Sequence, residues 1–252
     1  MRRIVAALAV GGVLMLTAAV PAGAITNGIA DGNDHPAVGA LVATEAYSDG
    51  TWTYCSGTLI APTVFLTAAH CAEDGGPAIV TFSTHYEAGD AVYTGTFHVD
   101  PQYPGPESDP HDVAVAVLDE PVAGITPDRL PGAGALDSLP KDQPITSVGY
   151  GAYEVTSGKG GGHQLLYDDV RREAVGTLNT VTKSWLKASM NPSLDNGGTC
   201  YGDSGGPNFV GSSDVVAAIT ITGDSVCRAT NVDYRMDSAS ARAFLAEFVT
   251  LP

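Results

Sequence analysis

The stretch Val113-Ala114-Val115-Ala116-Val117-Leu118 is a short, uncharged run of small and branched apolar side chains. Such a run, too short for a stable helical face, is typical of a buried β-strand. Similar runs rich in Val, Ile, Thr, Tyr and Phe lie between turn residues at 37–43, 52–60, 79–82, 91–99, 145–150, 164–175 and 215–222. Many short strands, with no sustained helical period in the middle of the chain, predict an all-β barrel or sandwich.

A single helix is predicted, at the carboxyl end of the chain. Asp237 is the candidate N-cap, and Ala241, Phe244, Leu245 and Phe248 follow at helical spacing. These side chains give the helix one apolar face that can dock on the strands.

The segment 122–144 is rich in proline and glycine, a composition that resists regular structure. We therefore expect it to join two halves of the chain, an amino-terminal half at about 25–130 and a carboxyl-terminal half at about 131–252.

Composition excludes several classes of protein. Of the 252 residues, 44% are hydrophobic and only 16% are charged, so the chain can bury a sizeable core and is not expected to be disordered. The formal charge is -16, with 28 acidic against 12 basic residues. A surface this acidic repels phosphate backbones and anionic lipid, so neither nucleic acid nor a membrane surface is an expected partner.

The first 24 residues have the order of a secretory signal. Arg2 and Arg3 precede an uncharged apolar run from residue 4 to 20, and Ala22-Gly23-Ala24 provides a small-residue cleavage site. The alternative, a membrane anchor, is disfavoured because the run is short for a membrane span. We expect cleavage after Ala24, a mature chain that begins at Ile25, and a secreted protein.

Export places the four cysteines in an oxidising compartment, where two disulfides are the default expectation. The cysteines form an early pair, Cys55 and Cys71, and a late pair, Cys200 and Cys227, and we predict these pairings. A metal site is not expected, since His70-Cys71 is the only close pairing of a thiol with an imidazole.

The strongest chemical signal is Gly202-Asp203-Ser204-Gly205-Gly206-Pro207. A serine between glycines on a tight turn exposes its hydroxyl, but it needs a neighbouring base to become a nucleophile at neutral pH. Thr67-Ala68-Ala69-His70-Cys71 supplies a histidine after an apolar strand. Asp112, directly before the Val113–Leu118 run, supplies a carboxylate that can orient the imidazole.

These motifs, together with Tyr54-Cys55-Ser56-Gly57-Thr58-Leu59-Ile60 and Val148-Gly149-Tyr150-Gly151, resemble the trypsin and chymotrypsin family of serine endopeptidases in a bacterial secreted form. The order histidine, aspartate, serine is that of the family, and the likeness covers nearly the whole mature chain. The resemblance implies two six-stranded antiparallel β-barrels with a carboxyl-terminal α-helix, and one active site where the barrels meet.

The resemblance also implies a role for each residue of the motifs. Ser204 would be the nucleophile, His70 the general base and then acid, and Asp112 the buried orienter. The backbone N–H groups of Gly202 and Ser204 would form an oxyanion hole. His35, His85, His98, His111 and His163 lack such a context and are expected at the surface or in loops.

In this family a newly freed Ile or Val amino group pairs with the aspartate before the nucleophile, which here implies a pair between Ile25 and Asp203. A buried carboxylate is costly without a cation, which gives this pair a physical reason. No Lys or Arg lies between Arg3 and Ile25, so a trypsin-like cut cannot expose Ile25. We therefore expect the removal of the signal peptide itself to be the activating cut.

The resemblance places the primary specificity pocket at Gly198, Thr199, Thr220, Thr222 and Gly223. Tryptic members carry an aspartate where this chain has Gly198, so a neutral or apolar pocket is favoured over a basic one. Asp224 or Asp233 would restore a basic preference by entering the pocket, although strand alternation turns Asp233 away if Tyr234 faces inward.

The expected partners are protein or peptide substrates and proteinaceous inhibitors, with a monomeric chain and no cofactor. A catalytically silent secreted binding protein on the same scaffold is the alternative, because a fold does not guarantee activity. An esterase with a Ser, Asp, His order is disfavoured, because the order in this chain differs.

Overall fold

The computed structural model describes residues 25–72, 76–157 and 162–252. The predicted signal peptide at 1–24 therefore lies outside the described residues. In the part of the chain that is described, no helix has the length and apolar character needed to cross a membrane.

Fifteen strands and one α-helix form the described chain. The strands are β1 (Ile29–Ala30), β2 (Val38–Val42), β3 (Thr53–Ala61), β4 (Val64–Thr67), β5 (Ala78–Thr81), β6 (Tyr93–Val99), β7 (Ala114–Leu118), β8 (Pro144–Gly149), β9 (Glu154–Ser157), β10 (His163–Leu166), β11 (Arg172–Val181), β12 (Trp185–Ser189), β13 (Pro207–Val210), β14 (Val216–Gly223) and β15 (Thr230–Arg235). The helix α1 covers Ala239–Leu245, and 3-10 turns lie at Ala69–Ala72, Ala135–Ser138 and Pro192–Leu194.

The strands build two closed antiparallel barrels of six strands each, which confirms the fold that the resemblance implied. The first barrel has the order β2-β3-β4-β7-β6-β5 and closes where β5 pairs with β2. The second has the order β8-β11-β12-β15-β14-β13 and closes where β13 pairs with β8. Strand β1 adds to the edge of β11, and β9 and β10 form a separate hairpin.

Most predicted runs coincide with strands. The exceptions are one run that a turn divides and several strands that the sequence does not mark. The run 164–175 is divided between β10 and β11, because the turn around Asp168 and Asp169 interrupts it. Strands β1, β4, β9, β12, β13 and β15 were not predicted. Each is short, and β15 carries the polar residues Asn231 and Asp233 with almost no exposed surface, so neither a continuous apolar run nor an alternating pattern marks it.

The helix begins one residue later than its predicted cap implies, so the assignment of Asp237 as N-cap is wrong. Ser238 is the N-cap, and its hydroxyl accepts from the backbone N–H of Ala241. The Asp237 carboxylate instead accepts from the backbone N–H of Leu136 and pairs with Arg235. The predicted apolar residues Ala241, Phe244 and Leu245 are buried, as expected for a docked face.

A buried arginine connects the two barrels. Arg171, just before β11, has no exposed surface, and its Nε donates to Asp31 Oδ2 at 2.7 Å. Its two terminal nitrogens donate to the carbonyl of Val38 in β2 at 2.9 Å and to Asn33 Oδ1 at 3.0 Å. Because the guanidinium donors meet a carboxylate and neutral acceptors, the buried charge is compensated on every side.

Replacing Arg171 by Met should therefore destabilise the protein by about 3–5 kcal/mol, since it removes the buried cation at Asp31 Oδ2 and leaves only His35, 2.5 Å from Oδ1, beside this carboxylate. Urea unfolding followed by fluorescence measures the loss. Arg129→Met is the matched control, because Arg129 pairs with Asp214 at the exposed surface, and it should leave the midpoint nearly unchanged. Equal midpoints for the two variants would contradict the assignment of Arg171 as the connection between the barrels.

Candidate active site

His70 is positioned by a strand, a 3-10 turn and a disulfide. Strand β4 ends at Thr67, and the 3-10 turn Ala69–Ala72 follows at once and carries His70. A disulfide joins Cys71 to Cys55 in β3 and so anchors this turn to the barrel wall. The His70 side chain keeps 29% of its surface exposed, which leaves the imidazole accessible from the cleft between the barrels.

Asp112 meets His70 because their strands are neighbours. Strand β4 pairs with β7, and Thr67 lies opposite Ala114, so the end of one strand adjoins the start of the other. The buried Asp112 carboxylate lies 2.8 Å from His70 Nδ1 and accepts from the His70 backbone N–H at 3.0 Å. Two contacts to one residue fix both the ring orientation and the backbone, and the tautomer that donates from Nδ1 to the carboxylate leaves Nε2 free to accept a proton.

The residue before Asp112 has a fixed conformation of its own. His111 has a φ of 54°, in the left-handed region, and its Nδ1 lies 2.9 Å from Asp100 Oδ2. His111 lies in the loop before β7, in agreement with the expectation of a surface or loop residue, but its side chain is buried. The contact to Asp100 holds a backbone conformation that non-glycine residues rarely adopt, and it directs Asp112 toward His70.

Ser204 comes from the second barrel, and its turn is pressed against the first. The Ser56 backbone N–H in β3 donates to the Ser204 carbonyl at 2.9 Å, and Ser56 Oγ donates to the Gly202 carbonyl at 3.0 Å. Gly205 has a φ of 78°, and a Cβ there would lie 2.2 Å from Thr67 Oγ1. Only glycine allows this approach, which brings Ser204 beside the strand end that carries His70.

Some of the backbone N–H groups around Ser204 donate a hydrogen bond within the described chain, and others do not. The N–H groups of Asp203, Gly205 and Gly206 donate to backbone carbonyls. In the described part of the chain, no acceptor is bonded to the N–H of Gly202 or of Ser204. Nor does a hydrogen bond join the Ser204 hydroxyl to His70 among the described residues, and catalytic contacts of this kind often tighten only when substrate binds.

Asp203 is a fully buried carboxyl group. It accepts from the backbone N–H of Gly151 and from that of Cys200, each at 2.8 Å. Burial raises the pKa of Asp203 to about 7, against the opposing effect of these two donors and of Arg172. None of the salt bridges among the described residues includes Asp203, so a cation for this group has to come from elsewhere.

Ile25 is fully buried, and in the uncut chain its nitrogen belongs to a peptide bond. The next residue, Thr26, forms a β-bridge with Gly198, and Thr26 Oγ1 donates to the Cys227 carbonyl at 2.6 Å. Cys227 is joined by a disulfide to Cys200, whose N–H binds Asp203. The start of the predicted mature chain is therefore tied to the segment that carries Asp203. Both predicted disulfides are confirmed.

A cavity beside Ser204 contains four of the five predicted pocket residues. It is lined by Thr199, Cys200, Tyr201, Ser204, Thr220, Ile221, Thr222, Gly223, Asp224 and Cys227. Gly198 lies outside this lining, because the Met190 side chain packs against it. A Cβ at Gly198 would lie 2.6 Å from the Met190 sulfur, and Met190 is itself buried.

The two acidic alternatives near the cavity differ in placement. Asp224 lines the cavity, but its carboxylate accepts from the backbone N–H groups of Arg228, Ala229 and Thr230. Burial opposes ionisation of Asp224, and these donors outweigh it and lower its pKa. Asp233 is outside the lining and fully buried. Tyr234 is fully buried as well, so both faces of β15 are covered at this point and alternation does not expose either side chain.

Two groups of side chains have the spacing of metal ligands in the described chain, and neither suits an ion. Cys55, His70 and Cys71 form one group, but both sulfurs belong to the disulfide. Asp31, His35 and Glu173 form the other, where the Arg171 guanidinium already neutralises Asp31. A metal ion prefers free thiolates or carboxylates without a competing cation.

Comparison with known proteins agrees with this geometry. The family model named Trypsin matches residues 30–243, which is most of the chain. Among solved structures, the chain is similar to HL collagenase, with a TM-score of 0.65 and 19% sequence identity. That similarity covers 86% of this chain and 95% of the collagenase chain, and at this identity it shows the shared fold. The extent of the family match shows that the chain belongs to the trypsin family of serine endopeptidases.

Proposed function

We propose that the protein is a secreted endopeptidase that cleaves peptide bonds through Ser204, His70 and Asp112. The observation that carries the proposal is the double contact of the Asp112 carboxylate with His70, at 2.8 Å to Nδ1 and 3.0 Å to the backbone N–H. It leaves Nε2 as the basic atom in the cleft that Ser204 borders. The mechanism follows the template already known for this family.

In the first step His70 Nε2 takes the proton of the Ser204 hydroxyl while Ser204 Oγ bonds to the carbonyl carbon of the substrate. Asp112 stabilises the imidazolium that forms, without itself taking the proton. The imidazolium then protonates the leaving amine, and the acyl group remains on Ser204. A water molecule then bonds through its oxygen to the acyl carbon while His70 takes one of its protons. His70 returns this proton to Ser204 Oγ as the bond from Oγ to the acyl carbon breaks, which releases the acid and restores the serine.

The oxyanion hole is assigned to the N–H groups of Gly202 and Ser204. Two donors without a protein acceptor can bind the negative oxygen that develops during attack, whereas an engaged N–H would have to break a bond first. One such donor is typically worth about 3–4 kcal/mol of barrier.

Ser204→Ala should lower kcat/KM for a peptide by about 10⁴-fold or more with no change in the unfolding midpoint, because the nucleophile is lost and the fold is not. Labelling by a serine-directed covalent inhibitor, read by intact mass, checks the assignment independently. Wild type should be labelled, and Ser204→Ala and His70→Ala should not. An unlabelled wild type that hydrolyses no peptide would favour the silent binding protein instead.

The second part of the proposal is activation by removal of residues 1–24. The freed ammonium of Ile25 would pair with Asp203, whose pKa of about 7 in the uncut chain reflects burial that its two N–H donors and Arg172 only partly offset. The link from Thr26 to Gly198 and Cys227 supports this pairing, because it holds the chain start near Asp203. The predicted signal peptide makes export and activation one event, and the two disulfides suit an oxidising compartment.

A variant with one alanine added before Ile25 should lose most of its activity, because the ammonium is displaced. The unfolding free energy of this variant should also depend on pH, in the direction that the raised pKa of Asp203 sets. The folded pKa of Asp203 is raised to about 7, so the folded chain binds more protons than the unfolded one between about pH 4 and 7, and the unfolding free energy falls as pH rises through this window.

Urea unfolding at several pH values measures this slope, with Asp203→Asn in the extended chain as the control that cannot titrate. The slope should shrink in the control and in the chain that begins at Ile25. Full activity in a protein that starts at any other residue would contradict activation by this cut.

The third part of the proposal is a primary pocket for neutral side chains. Met190 fills the space beside Gly198, where a charged floor residue would have to fit, and the Asp224 carboxylate is engaged by three backbone N–H groups. A Lys or Arg side chain entering the cavity would then have to compete with these N–H groups for the Asp224 carboxylate, which weakens the pairing.

Peptides that differ only in the residue before the cleaved bond should therefore be cleaved with kcat/KM about tenfold or more higher for neutral than for basic side chains, since an unpaired cation costs at least about 1.4 kcal/mol. A preference for Lys or Arg that disappears in Asp224→Asn would instead assign Asp224 as the floor of the pocket.

A further inference from the structure

A chain of buried polar side chains lies directly behind the pocket wall, in the interior of the second barrel. Its members come from four strands and from the segment before Ser204, and each is at most 8% exposed: Ser147, Thr199, Asn208, Thr220, Asn231 and Asp233. Thr199 and Thr220 line the cavity. The other four lie deeper, so the chain runs from the pocket wall into the barrel.

Hydrogen bonds connect the members in a defined order. Asn208 Nδ2 donates both to Thr220 Oγ1 at 2.9 Å and to Asp233 Oδ1 at 3.1 Å. Asn208 Oδ1 accepts from Asn231 Nδ2 at 3.1 Å, and Asn231 Oδ1 in turn accepts from the Thr199 hydroxyl. Both pocket hydroxyls therefore depend on the orientation of one amide, that of Asn208.

Two neighbouring side chains, those of Ser147 and Asp233, orient the Asn208 amide. Ser147 Oγ donates to its oxygen at 2.5 Å, and Asp233 accepts from its nitrogen. If Asp233 were removed, the amide could rotate by half a turn, exchange its oxygen and nitrogen, and reverse the direction of every bond in the chain. The Asp233 Oδ1 atom accepts from this nitrogen and so favours the observed orientation of the amide.

Asp233 has an environment that suits a neutral acid. It has no exposed surface, its hydrogen-bonding neighbours are Asn208, Thr220 and Asn231, all uncharged, and burial raises its pKa well above the usual value. Among the side chains of residues 25–72, 76–157 and 162–252, its Oδ2 is the one buried polar atom with no hydrogen-bond partner. Such an orphan costs free energy, so its retention calls for a compensating role.

We propose that Asp233 is a positioning residue for the primary specificity pocket, a neutral carboxylic acid that fixes the Asn208 amide and, through it, the Thr199 and Thr220 hydroxyls. The inference rests on the proposed peptidase function and deepens it. Thr199 and Thr220 line the cavity, so fixing their hydroxyls fixes the rotamers of two wall side chains and thereby the shape of the pocket that receives the substrate side chain.

Asp233→Asn and Asp233→Leu separate this role from a merely structural one. Asparagine keeps the acceptor for Asn208 and the shape of the neutral acid, whereas leucine has a similar volume and offers no acceptor. Thr58→Val is the matched control, because it deletes a buried hydroxyl that donates to Asp128 and belongs to a residue outside the cavity lining. Each enzyme is titrated with a serine-directed inhibitor, so that only folded, competent sites are counted.

The peptides are the panel varied at the residue before the cleaved bond. Asp233→Asn should keep the wild-type order of preference, with KM within about twofold. Asp233→Leu should lower kcat/KM for the preferred peptide by about tenfold, mainly through KM, and change the order, as expected for a misplaced buried hydrogen-bonding group. Thr58→Val should lose stability and keep the wild-type order.

The outcomes are distinct. An unchanged order of preference in titrated Asp233→Leu overturns the positioning role but leaves the proposed peptidase function standing. An equal loss of kcat/KM in Asp233→Asn overturns it as well, because the charge of Asp233 would then be the important property. If Asp233→Leu does not fold, a changed order of preference in Asp233→Asn still overturns the inference. Ser147→Ala then tests the same hydroxyl positions, because it removes the hydrogen bond to the oxygen of the Asn208 amide. A wild type that cleaves no peptide overturns the proposed function.

Discussion

The contact between Ser56 and the 202–205 turn is the constraint on which the site depends. Ser56 Oγ accepts from the Tyr150 backbone N–H and donates to the Gly202 carbonyl, while the Ser56 N–H holds the Ser204 carbonyl. One residue of the first barrel thus binds two segments of the second. Because the interface has no room for a side chain at Gly205, the turn fits in one register only, and Ser204 comes beside the 3-10 turn of His70.

In the first barrel, the residues of the site lie close to strand ends and not in long loops. His70 and Asp112 stand at adjacent ends of β4 and β7, whose pairing is set by apolar side chains with no exposure, among them Phe65, Leu66 and Val115. Side chains carried by paired strands move together with the barrel wall. The disulfide between Cys55 and Cys71 adds a covalent limit, so the imidazole and its carboxylate are held before a substrate arrives.

The sequence was enough to predict the all-β class and the groups at the candidate site, because apolar runs such as β7 and the turn around Ser204 are local signals. Strand β15 and the burial of His111 could not be predicted in this way. The interior of the second barrel is polar at Asn208, Asn231 and Asp233, which removes the alternation that marks a strand. The partner that buries His111, Asp100, lies 11 positions away and is adjacent only in the folded chain. The contributions of Ser56 to the site and of Met190 to the pocket could not be predicted either, because they depend on contacts that no local sequence pattern shows.

Three buried carboxyl groups show how the same chemical group acquires different roles in one domain. Asp112 lies 2.8 Å from the Nδ1 of an imidazole, which can become a cation beside it. Asp203 accepts from two backbone N–H groups and has no salt-bridge partner among the described residues, so burial raises its pKa and a nearby ammonium would lower it again. Asp233 faces only neutral amides and hydroxyls, and the neutral acid is then the stable form. Burial alone therefore does not identify a catalytic carboxylate. The charge of the groups that face it decides whether it can stabilise a cation, respond to one, or act only as a hydrogen-bonding partner.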